Sequence, residues 1–370
     1  MSGFAARLVA WHGKQGRHDL PWQASRDPYA IWVSEIMLQQ TQVATVVPYY
    51  RRFIERFPDI ETLSAASLDE VLVLWSGLGY YARARNLHRA AQSIVREHGG
   101  CFPKDMEQVF GLPGIGRSTA AAICAFAYGD RHAILDGNVK RVLARHFGIR
   151  GYPGDKRVEA ALWGKAESLL PRKHIAAYTQ ALMDLGAGVC TRRRPGCLSC
   201  PVVPECVAYR EGLTEALPTP RPKMALPRRE TVMLIIEHAG TLLLEKRPAA
   251  GIWGGLWCFP EFAPNEDLRA ECRRRFDVHV ARSTRLPGIE HGFTHFRLTI
   301  EPRHVRVSRL LPRAAEPGVA WMSIEEALSV AVPTPVRRIL LGLQKPLPGQ
   351  PRYEESKTSK ETNESNDQSE

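Results

Sequence analysis

The chain has 370 residues, 44% of them hydrophobic, which is enough for two or three domains with apolar cores. Lys and Arg number 50 against 39 Asp and Glu, and the net charge of +11 favours a polyanionic partner, nucleic acid before a membrane surface. No apolar run approaches the length of a membrane span, and Arg7 inside the N-terminal apolar patch is typical of an amphipathic helix rather than a signal peptide. We therefore expect a soluble protein of the cytoplasm, associated with the nucleoid in a bacterium.

Glu35 is the first candidate for chemistry along the chain. Asp27 as N-cap and Pro28 at the first helical position predict a long helix over residues 29–47, with Glu35 in its middle. Most of its helical neighbours are apolar, so Glu35 faces the packed side. Burial would raise its pKa and keep it protonated near neutral pH, as a general acid requires. A glutamate that is paired or exposed at the edge of the helix is the alternative.

Two polar segments are candidates for contact with nucleic-acid bases. Residues 39–42, Gln-Gln-Thr-Gln, are predicted to continue the same helix, either as a solvated helix end or as amide side chains that fill a gap in a base stack. Residues 77–81, Gly-Leu-Gly-Tyr-Tyr, precede a helix predicted over residues 82–98, and Arg83 and Arg85 follow them at once. Such a loop suits stacking on bases and contact with phosphates, or else a helix–helix connection with a buried tyrosine.

Residues 112–138 are the stretch around which the chain is organised. The tight turn Leu-Pro-Gly-Ile-Gly at residues 112–116 leads into a helix of small residues. Unpaired amides at such a turn and at the start of a helix bind anions such as phosphate, although an ordinary helix–turn–helix corner has the same pattern. Asp136 comes just before another amphipathic helix, where capping the helix and acting in chemistry are compatible roles.

Four cysteines lie within one short loop. Cys190, Cys197, Cys200 and Cys206 have the spacing C-x6-C-x2-C-x5-C. Four thiolates can close a tetrahedral zinc site or hold a four-iron cluster, and their number alone does not separate the two. The remaining cysteines are scattered, and without a secretory signal we expect no disulfide framework.

Composition changes after a proline-rich, basic stretch, which we interpret as a linker over residues 215–229. Residues 1–214 before it are predicted to be all-α. Residues 230–344 after it combine helices with strands, including a hairpin over residues 231–246, and predict an α+β domain. From residue 345 to 370 the chain is polar and poor in aromatic residues, so we expect a disordered tail.

The motifs in chain order are WVSEIMLQQTQV, GLGYYARARN, LPGIGRSTA, LDGNVKRV, the four-cysteine loop, GLWCFPEF and GFTHFRL. This order resembles the adenine DNA glycosylases of the MutY family over about residues 1–344. The resemblance implies an all-α helix–hairpin–helix glycosylase region of two subdomains, with the active site in the cleft between them. It also implies a Nudix-like C-terminal domain that reads 8-oxoguanine. The x6-x2-x5 cysteine spacing is similar to the [4Fe–4S] loop of endonuclease III-like glycosylases, which favours that cluster over zinc.

The resemblance also implies a substrate and site residues. The substrate would be adenine mispaired with 8-oxoguanine or guanine in duplex DNA, attacked by a protein that acts as a monomer. Glu35 would be the general acid, Asp136 the carboxylate that stabilises the sugar cation, and Asn138 a hydrogen-bonded residue of the same site. Contacts with DNA are implied for Gln40, Thr41, Leu78, Tyr80, Leu112, Gly114, Gly116, Ser118, Phe293, Thr294 and His295. Gln40 and Tyr80 match residues that wedge into the base stack, and Phe293-Thr294-His295 matches a Phe-Ser-His loop with Thr in place of Ser.

Three other functions are weighed against this one. A glycosylase–lyase of the endonuclease III type places a lysine where this chain has Ser118, and serine cannot form a Schiff base. A Nudix hydrolase needs a patterned set of carboxylates for magnesium, which Glu261, Glu266, Asp267 and Glu271 do not reproduce. A lesion-binding protein without activity would not need both Glu35 and Asp136. We therefore expect a monofunctional glycosylase.

Overall fold

Helices form the first part of the chain in a computed structural model, which describes residues 3–222, 225–310 and 318–344. Within those residues no strand occurs before Arg228, which agrees with the sequence prediction. The helices are α1 (Gly3–Gln15), α2 (Pro28–Leu38), α3 (Val43–Arg56), α4 (Ile60–Ala65), α5 (Leu68–Trp75), α6 (Ala82–His98), α7 (Met106–Gly111), α8 (Arg117–Ala127), α9 (Gly137–Phe147), α10 (Lys156–Ser168), α11 (Ile175–Asp184) and α12 (Val207–Arg210).

The helices pack around two cores. One core includes Trp32 of α2 and Ile123 of α8, and the other includes Leu143 of α9, Tyr178 of α11 and Ala121 of α8. Helix α8 therefore faces both cores, and its small alanine side chains allow neighbouring helices to approach closely. The two cores correspond to two subdomains that meet along the helix that follows the glycine turn.

The single helix predicted over residues 29–47 is wrong. Helix α2 ends at Leu38 and α3 begins at Val43, so residues 39–42 connect two helices. Gln40 has a φ of +57°, in the left-handed region, and this conformation stops the first helix. The predicted helix over residues 82–98 is confirmed as α6, which ends where Gly99 takes a left-handed φ of 59°.

Residues 225–310 and 318–344 form an eight-stranded sheet with helices. Its strands are β1 (Arg228–His238), β2 (Thr241–Lys246), β3 (Trp257–Cys258), β4 (Glu261–Phe262), β5 (Val278–Arg285), β6 (Ile289–Gly292), β7 (Arg297–Leu310) and β8 (Val319–Met322). The strand order is β3-β2-β1-β7-β5, with β4 against β1, β6 against β7 and β8 against β2. Only the β1–β7 pairing among these is parallel. The helices are α13 (Leu268–Phe276), α14 (Ile324–Ser329) and α15 (Thr334–Leu343).

The predicted hairpin is confirmed, because β1 and β2 pair antiparallel around Ala239 and Gly240. Alternate residues of β1 face opposite sides of the sheet, as strand geometry requires. Val232 and Leu234 pack on one side, whereas Met233 belongs to the core that also holds the first helical subdomain. The C-terminal domain therefore shares apolar packing with the helices.

Polar contacts also join the C-terminal domain to α5, to α6 and to the loop between them. The Arg85 guanidinium donates to the carbonyl of Gly254 at 2.9 Å, and the Tyr81 hydroxyl donates to the carbonyl of Val332 at 3.4 Å. Lys246 pairs with Asp69 at 2.6 Å. The domain thus rests on the loop that carries Leu78 and Tyr80. No helix among the described residues is long and apolar enough to cross a membrane, and the tail predicted over residues 345–370 lies outside them.

Candidate active site

Glu35 lies on α2, which begins where the Asp27 carboxylate accepts the backbone amides of Tyr29 and Ala30 at 3.1 and 3.3 Å. The residues on either side of it, Ser34 and Ile36, are buried, and Glu35 keeps only part of its surface exposed. Burial, followed by the negative charge of Asp136, raises the pKa of Glu35 to about 8. Glu35 is therefore a carboxylic acid that holds its proton at neutral pH and can donate it.

Asp136 is the N-cap of α9, and its carboxylate accepts the backbone amide of Val139 at 2.7 Å. Burial raises the pKa of Asp136, while amide hydrogen bonds from Val139 and Asn138 and the charge of Arg141 oppose that rise. These donors favour the ionised form. The structure therefore brings together two carboxyl groups in which one is held as an acid and the other is surrounded by groups that stabilise an anion.

Asn138 is fixed on the first turn of α9. Its Oδ1 accepts from Nη2 of Arg141 at 2.8 Å, and the same guanidinium donates to the carbonyls of Gly186 and Cys190 at 2.5 and 2.7 Å. The backbone also approaches closely here, because a Cβ added to Gly186 would lie 2.5 Å from Cβ of Asn138. These contacts hold the side chain of Asn138 in a fixed conformation beside Asp136.

Ser118 lies in the first turn of α8, and its Oγ accepts the backbone amide of Leu135 at 2.9 Å. Leu135 directly precedes Asp136, so this bond ties the catalytic candidate to the hairpin helix. Leu112 is buried with 5% of its surface exposed, whereas Gly114 and Gly116 are exposed. Gly114 has a φ of 81°, which suits glycine. The turn therefore presents backbone, rather than side chains, to a partner.

A cleft of about 310 Å³ adjoins the helix that carries Glu35, and sequence analysis missed it. Ile31 and Ser34 of α2 line it together with Trp22, Gln23 and Gln180. Its walls come from segments that are far apart in the sequence, and none of these segments contains a motif that indicates a cleft. The cleft offers apolar faces and amide groups, the combination that binds a planar heterocycle.

Gln40, Thr41, Leu78 and Tyr80 lie on the two loops that end α2 and precede α6. Gln40 is exposed and 49% of Tyr80 is exposed, while Leu78 is buried with 6% exposed. Thr41 is half-buried, with its hydroxyl 3.1 Å from Nη2 of Arg83. Contact with DNA is thus open to the side chains of Gln40 and Tyr80, but not to that of Leu78.

Of the two alternatives for the loop at residues 77–81, the structure supports the helix–helix connection with a buried tyrosine, because Tyr81 has 7% of its surface exposed. Arg83 is buried with 8% of its surface exposed, and its guanidinium donates to backbone carbonyls, including that of Met37 at 2.7 Å. Arg85 donates to the C-terminal domain through Gly254. Both cations are used inside the protein because a loop with two glycines leaves many carbonyls that need donors.

Phe293, Thr294 and His295 form the loop between β6 and β7. Thr294 and His295 are exposed, whereas Phe293 is half-buried and stacks on Phe296 with ring centroids 4.4 Å apart. Trp253 packs against the same ring at 5.5 Å. The aromatic cluster fixes the loop and leaves a hydroxyl and an imidazole free to face a partner.

The carboxylates where a Nudix enzyme would bind magnesium have structural partners in this domain. Glu261 pairs with Arg247 at 2.7 Å, and Glu271 pairs with Arg274 at 2.5 Å. Asp267 caps α13. Glu261, Glu271 and Asp267 therefore each have a partner within the fold of this domain.

The four cysteines surround one cavity, which is also lined by Arg145. The Arg145 guanidinium donates to Sγ of Cys190 at 3.4 Å. Burial, followed by the charges of the other three cysteines, raises the pKa of Cys200 to about 11, against one opposing backbone hydrogen bond. A group bound among these thiols therefore has to supply positive charge. Among the described residues, no three His, Cys, Asp or Glu side chains are placed to hold a single metal ion.

Comparison with known proteins matches both parts of the chain. Residues 33–168 match the HhH-GPD superfamily of base excision DNA repair proteins, and residues 231–342 match the NUDIX domain. The chain is 38% identical to the adenine DNA glycosylase of Buchnera aphidicola subsp. Acyrthosiphon pisum (strain APS), over 92% of this chain and 98% of that protein. It is 34% identical to the adenine DNA glycosylase of Homo sapiens, over 94% of this chain and 75% of that protein.

Solved structures give the same result for the helical part. The structure of a thermostable thymine-DNA glycosylase matches with a TM-score of 0.52 and 30% identity, over 56% of this chain and 95% of that chain. These matches confirm the architecture predicted from the sequence, which is a helical glycosylase region followed by a Nudix-like domain.

The shifted pKa of Glu35 predicts how stability depends on pH. The carboxyl has a pKa of 4.5 without the protein environment and about 8 in the folded protein, so folding favours its protonated form. The free energy of unfolding then falls as pH rises between these values. Glu35→Gln has no such carboxyl and does not lose stability in this way. The melting temperature of the variant minus that of the parent should therefore increase from about pH 5 to about pH 8 and stay constant above pH 8.

The matched control is Glu55→Gln on α3, where the glutamate is exposed. Its melting temperature should follow that of the parent at every pH. If the difference in melting temperature between Glu35→Gln and the parent is the same at every pH in this range, the raised pKa of Glu35 is contradicted.

Proposed function

The chain belongs to the adenine DNA glycosylase family and is a base-excision DNA glycosylase, and from this premise we propose that it removes adenine mispaired with 8-oxoguanine or guanine in duplex DNA. The observation that carries the proposal is the pair of buried carboxyl groups, in which the charge of Asp136 helps to raise the pKa of Glu35 to about 8. A protonated acid and a nearby anion are the two groups that an N-glycosidic bond needs for hydrolysis.

The reaction begins with extrusion of adenine from the stack, at a cost of a few kcal/mol. The cleft beside α2 receives the base, with Trp22 available for stacking and Gln23 and Gln180 for its polar edge. Gln180 is held there because its Nε2 donates to Asp184 at 2.8 Å. Ile31 and Ser34 of α2 line the cleft, and Glu35 on the same helix is proposed to transfer its proton to N7 of the bound adenine.

Protonated adenine leaves with the electron pair of the C1′–N9 bond, and the sugar becomes an oxocarbenium-like cation. Asp136 stabilises that cation, and its amide donors from Val139 and Asn138 keep the carboxylate in place. Water then adds to C1′ and loses a proton, which completes hydrolysis. Ser118 has no amine, and its hydroxyl supports Leu135, so the product is an abasic site in an intact strand.

DNA is held by several surfaces in this proposal. Exposed backbone at Gly114 and Gly116 binds phosphate at the start of α8, together with Leu112 and Ser118 of the same turn. The exposed side chains of Gln40 and Tyr80 enter the stack beside the base opposite adenine, with Thr41 and the backbone of Leu78 next to them. The loop of Phe293, Thr294 and His295 reads 8-oxoguanine. The protein acts as a monomer in the compartment that holds DNA.

The four cysteines hold a [4Fe–4S] cluster in this proposal. Four thiols around one cavity fit such a group. Burial, and after it the charges of the other cysteines, raises the pKa of Cys200, and the positive charge of the iron would stabilise the thiolates against both effects. The x6-x2-x5 spacing of the cysteines, which is similar to that of endonuclease III-like glycosylases, favours the cluster over zinc. The cluster would cross-link the loop, and no step of the hydrolysis involves it.

Loss of the acid should stop the reaction. Glu35→Gln should lower single-turnover adenine release by at least about 1000-fold, because an amide cannot donate the proton at neutral pH. Binding of the mispaired duplex should stay near that of the parent, since glutamine has the same size as glutamic acid and, like the protonated Glu35, carries no charge at neutral pH. The control is Glu55→Gln, and substantial release by Glu35→Gln would refute the assignment of the acid.

Metal analysis tests the cysteine site. Protein purified without oxygen should be brown and contain about four iron atoms per chain with little zinc. Replacement of Cys200 by serine should lower the iron content, whereas Cys101→Ser, at an exposed cysteine outside the loop, should not. About one zinc per chain and no iron would overturn the cluster assignment.

Removal of the C-terminal reader should change selectivity. Replacing Phe293 and His295 by alanine should reduce the rate of adenine excision opposite 8-oxoguanine by about tenfold more than the rate opposite guanine, because about 1.4 kcal/mol of contact energy would act only on the oxidised base. The measurement is single-turnover excision on two otherwise identical duplexes. Equal losses on both duplexes would mean that the loop has only a structural role.

A further inference from the structure

Arg83 binds the loop that carries Gln40. Its Nη1 donates to the carbonyls of Ile36, Met37 and Gln39 at 3.0, 2.7 and 2.6 Å. The first two carbonyls belong to the last turn of α2, where helical partners are missing. Arg83 therefore acts as the C-terminal cap of α2 from another helix, and it fixes the chain on the near side of Gln40.

The same guanidinium binds the loop that carries Tyr80. Its Nη2 donates to the carbonyls of Gly79 and Leu78 at 3.1 and 3.5 Å, and to the Thr41 hydroxyl at 3.1 Å. The backbone amide of Arg83 donates to the carbonyl of Tyr80 at 2.8 Å. The guanidinium carbon also lies 5.5 Å from the centre of the Tyr80 ring. One buried cation thus joins two loops that are far apart in the sequence.

Gln40 and Tyr80 share an uncommon backbone conformation. Their φ values are +57° and +50°, in the left-handed region that non-glycine residues seldom adopt. Such conformations persist where the surroundings determine them. Both side chains are exposed, so their own packing does not hold them. Arg83 donates to the residues on both sides of Gln40, namely Gln39 and Thr41, and to Gly79 before Tyr80. Trp75 Nε1 also donates to the carbonyl of Gly79 at 3.1 Å, and the amide of Thr41 donates to that of Leu38 at 3.2 Å, but of these donors only Arg83 joins the two loops.

We infer that Arg83 is a positioning residue that holds Gln40 and Tyr80 ready, before DNA arrives, to enter the base stack together. The inference rests on the DNA contacts proposed above. In this inference Gln40 and Tyr80 are already held in place in the free protein, and their loops do not need to become ordered when DNA binds. A planar guanidinium, with donors on two terminal nitrogens, reaches both loops at once, whereas the single nitrogen of lysine cannot reproduce that fork.

The test uses the full chain, an uncleavable 2′-fluoro analogue of deoxyadenosine, and 2-aminopurine beside 8-oxoguanine in the duplex. 2-Aminopurine fluoresces when it is unstacked, so it reports wedge insertion at saturating protein. Arg83→Lys should bind the duplex within about twofold of the parent yet lose most of the fluorescence rise. Its single-turnover excision of ordinary adenine should fall by about tenfold to a hundredfold, as misplacement of a positioning group predicts.

Two variants make the result specific. Arg96→Lys, at the exposed end of α6 where Arg96 pairs with Glu97, is the control and should match the parent in both measurements. If Arg83→Lys does not fold, Arg83→Gln is measured in its place, because glutamine puts no unpaired charge in the interior of the protein. A folded variant at position 83 with the fluorescence rise and excision rate of the parent would overturn the inference.

A double variant separates this inference from the function on which it rests. Gln40→Ala combined with Tyr80→Ala should abolish the fluorescence rise. If the rise survives in that variant, the wedge assignment itself is wrong. If it disappears there but persists in Arg83→Lys, the wedge stands and only the role of Arg83 is refuted.

Discussion

A carboxylic acid that keeps its proton at neutral pH has to be shielded from water, and the rest of this structure depends on that requirement at Glu35. Burial contributes most to the rise of its pKa to about 8, and the charge of Asp136 adds to it. Both groups lie in the helical region, where α2 supplies the acid and the start of α9 supplies the anion. Asp136 is thus part of the electrostatic environment of Glu35, and its replacement by a neutral residue would remove one of the two causes that raise the pKa of Glu35.

The fold meets this requirement by joining two helical cores through α8. The core of α2 carries Glu35, the core of α9 and α11 carries Asp136, and α8 contributes side chains to both. Ser118 at the start of α8 holds the backbone of Leu135, so the turn proposed to grip phosphate is linked by one hydrogen bond to the segment that ends at Asp136. In the proposed complex, the same helix would therefore fix both the phosphate-binding turn and the position of Asp136.

Sequence reasoning was most successful where the signal is local. The cap at Asp27, the end of α6 at Gly99 and the hairpin of β1 and β2 depend on residues a few positions apart, and each lies where it was predicted. The apolar neighbours of Glu35 indicated its burial in the same way. The break at residues 39–42 was missed because the left-handed conformation of Gln40 is supported by Arg83, more than forty residues later in the chain.

Long-range partners also explain the other failures. Arg83 reads as a surface cation in the sequence, and only the assembled fold shows the carbonyls that surround it. The cleft beside α2 combines Trp22 with Gln180, so no contiguous motif could reveal it. The family resemblance identified the chemistry, whereas the residues that position the chemistry came from the structure.

The central claim is that the protein hydrolyses the bond between adenine and sugar and leaves the strand intact. The most direct measurement follows adenine release and strand scission in one time course, at pH 7, on a duplex with a single adenine opposite 8-oxoguanine. The account predicts full release of free adenine, with strand breaks that appear only after treatment with alkali. Strand scission that keeps pace with adenine release would contradict it.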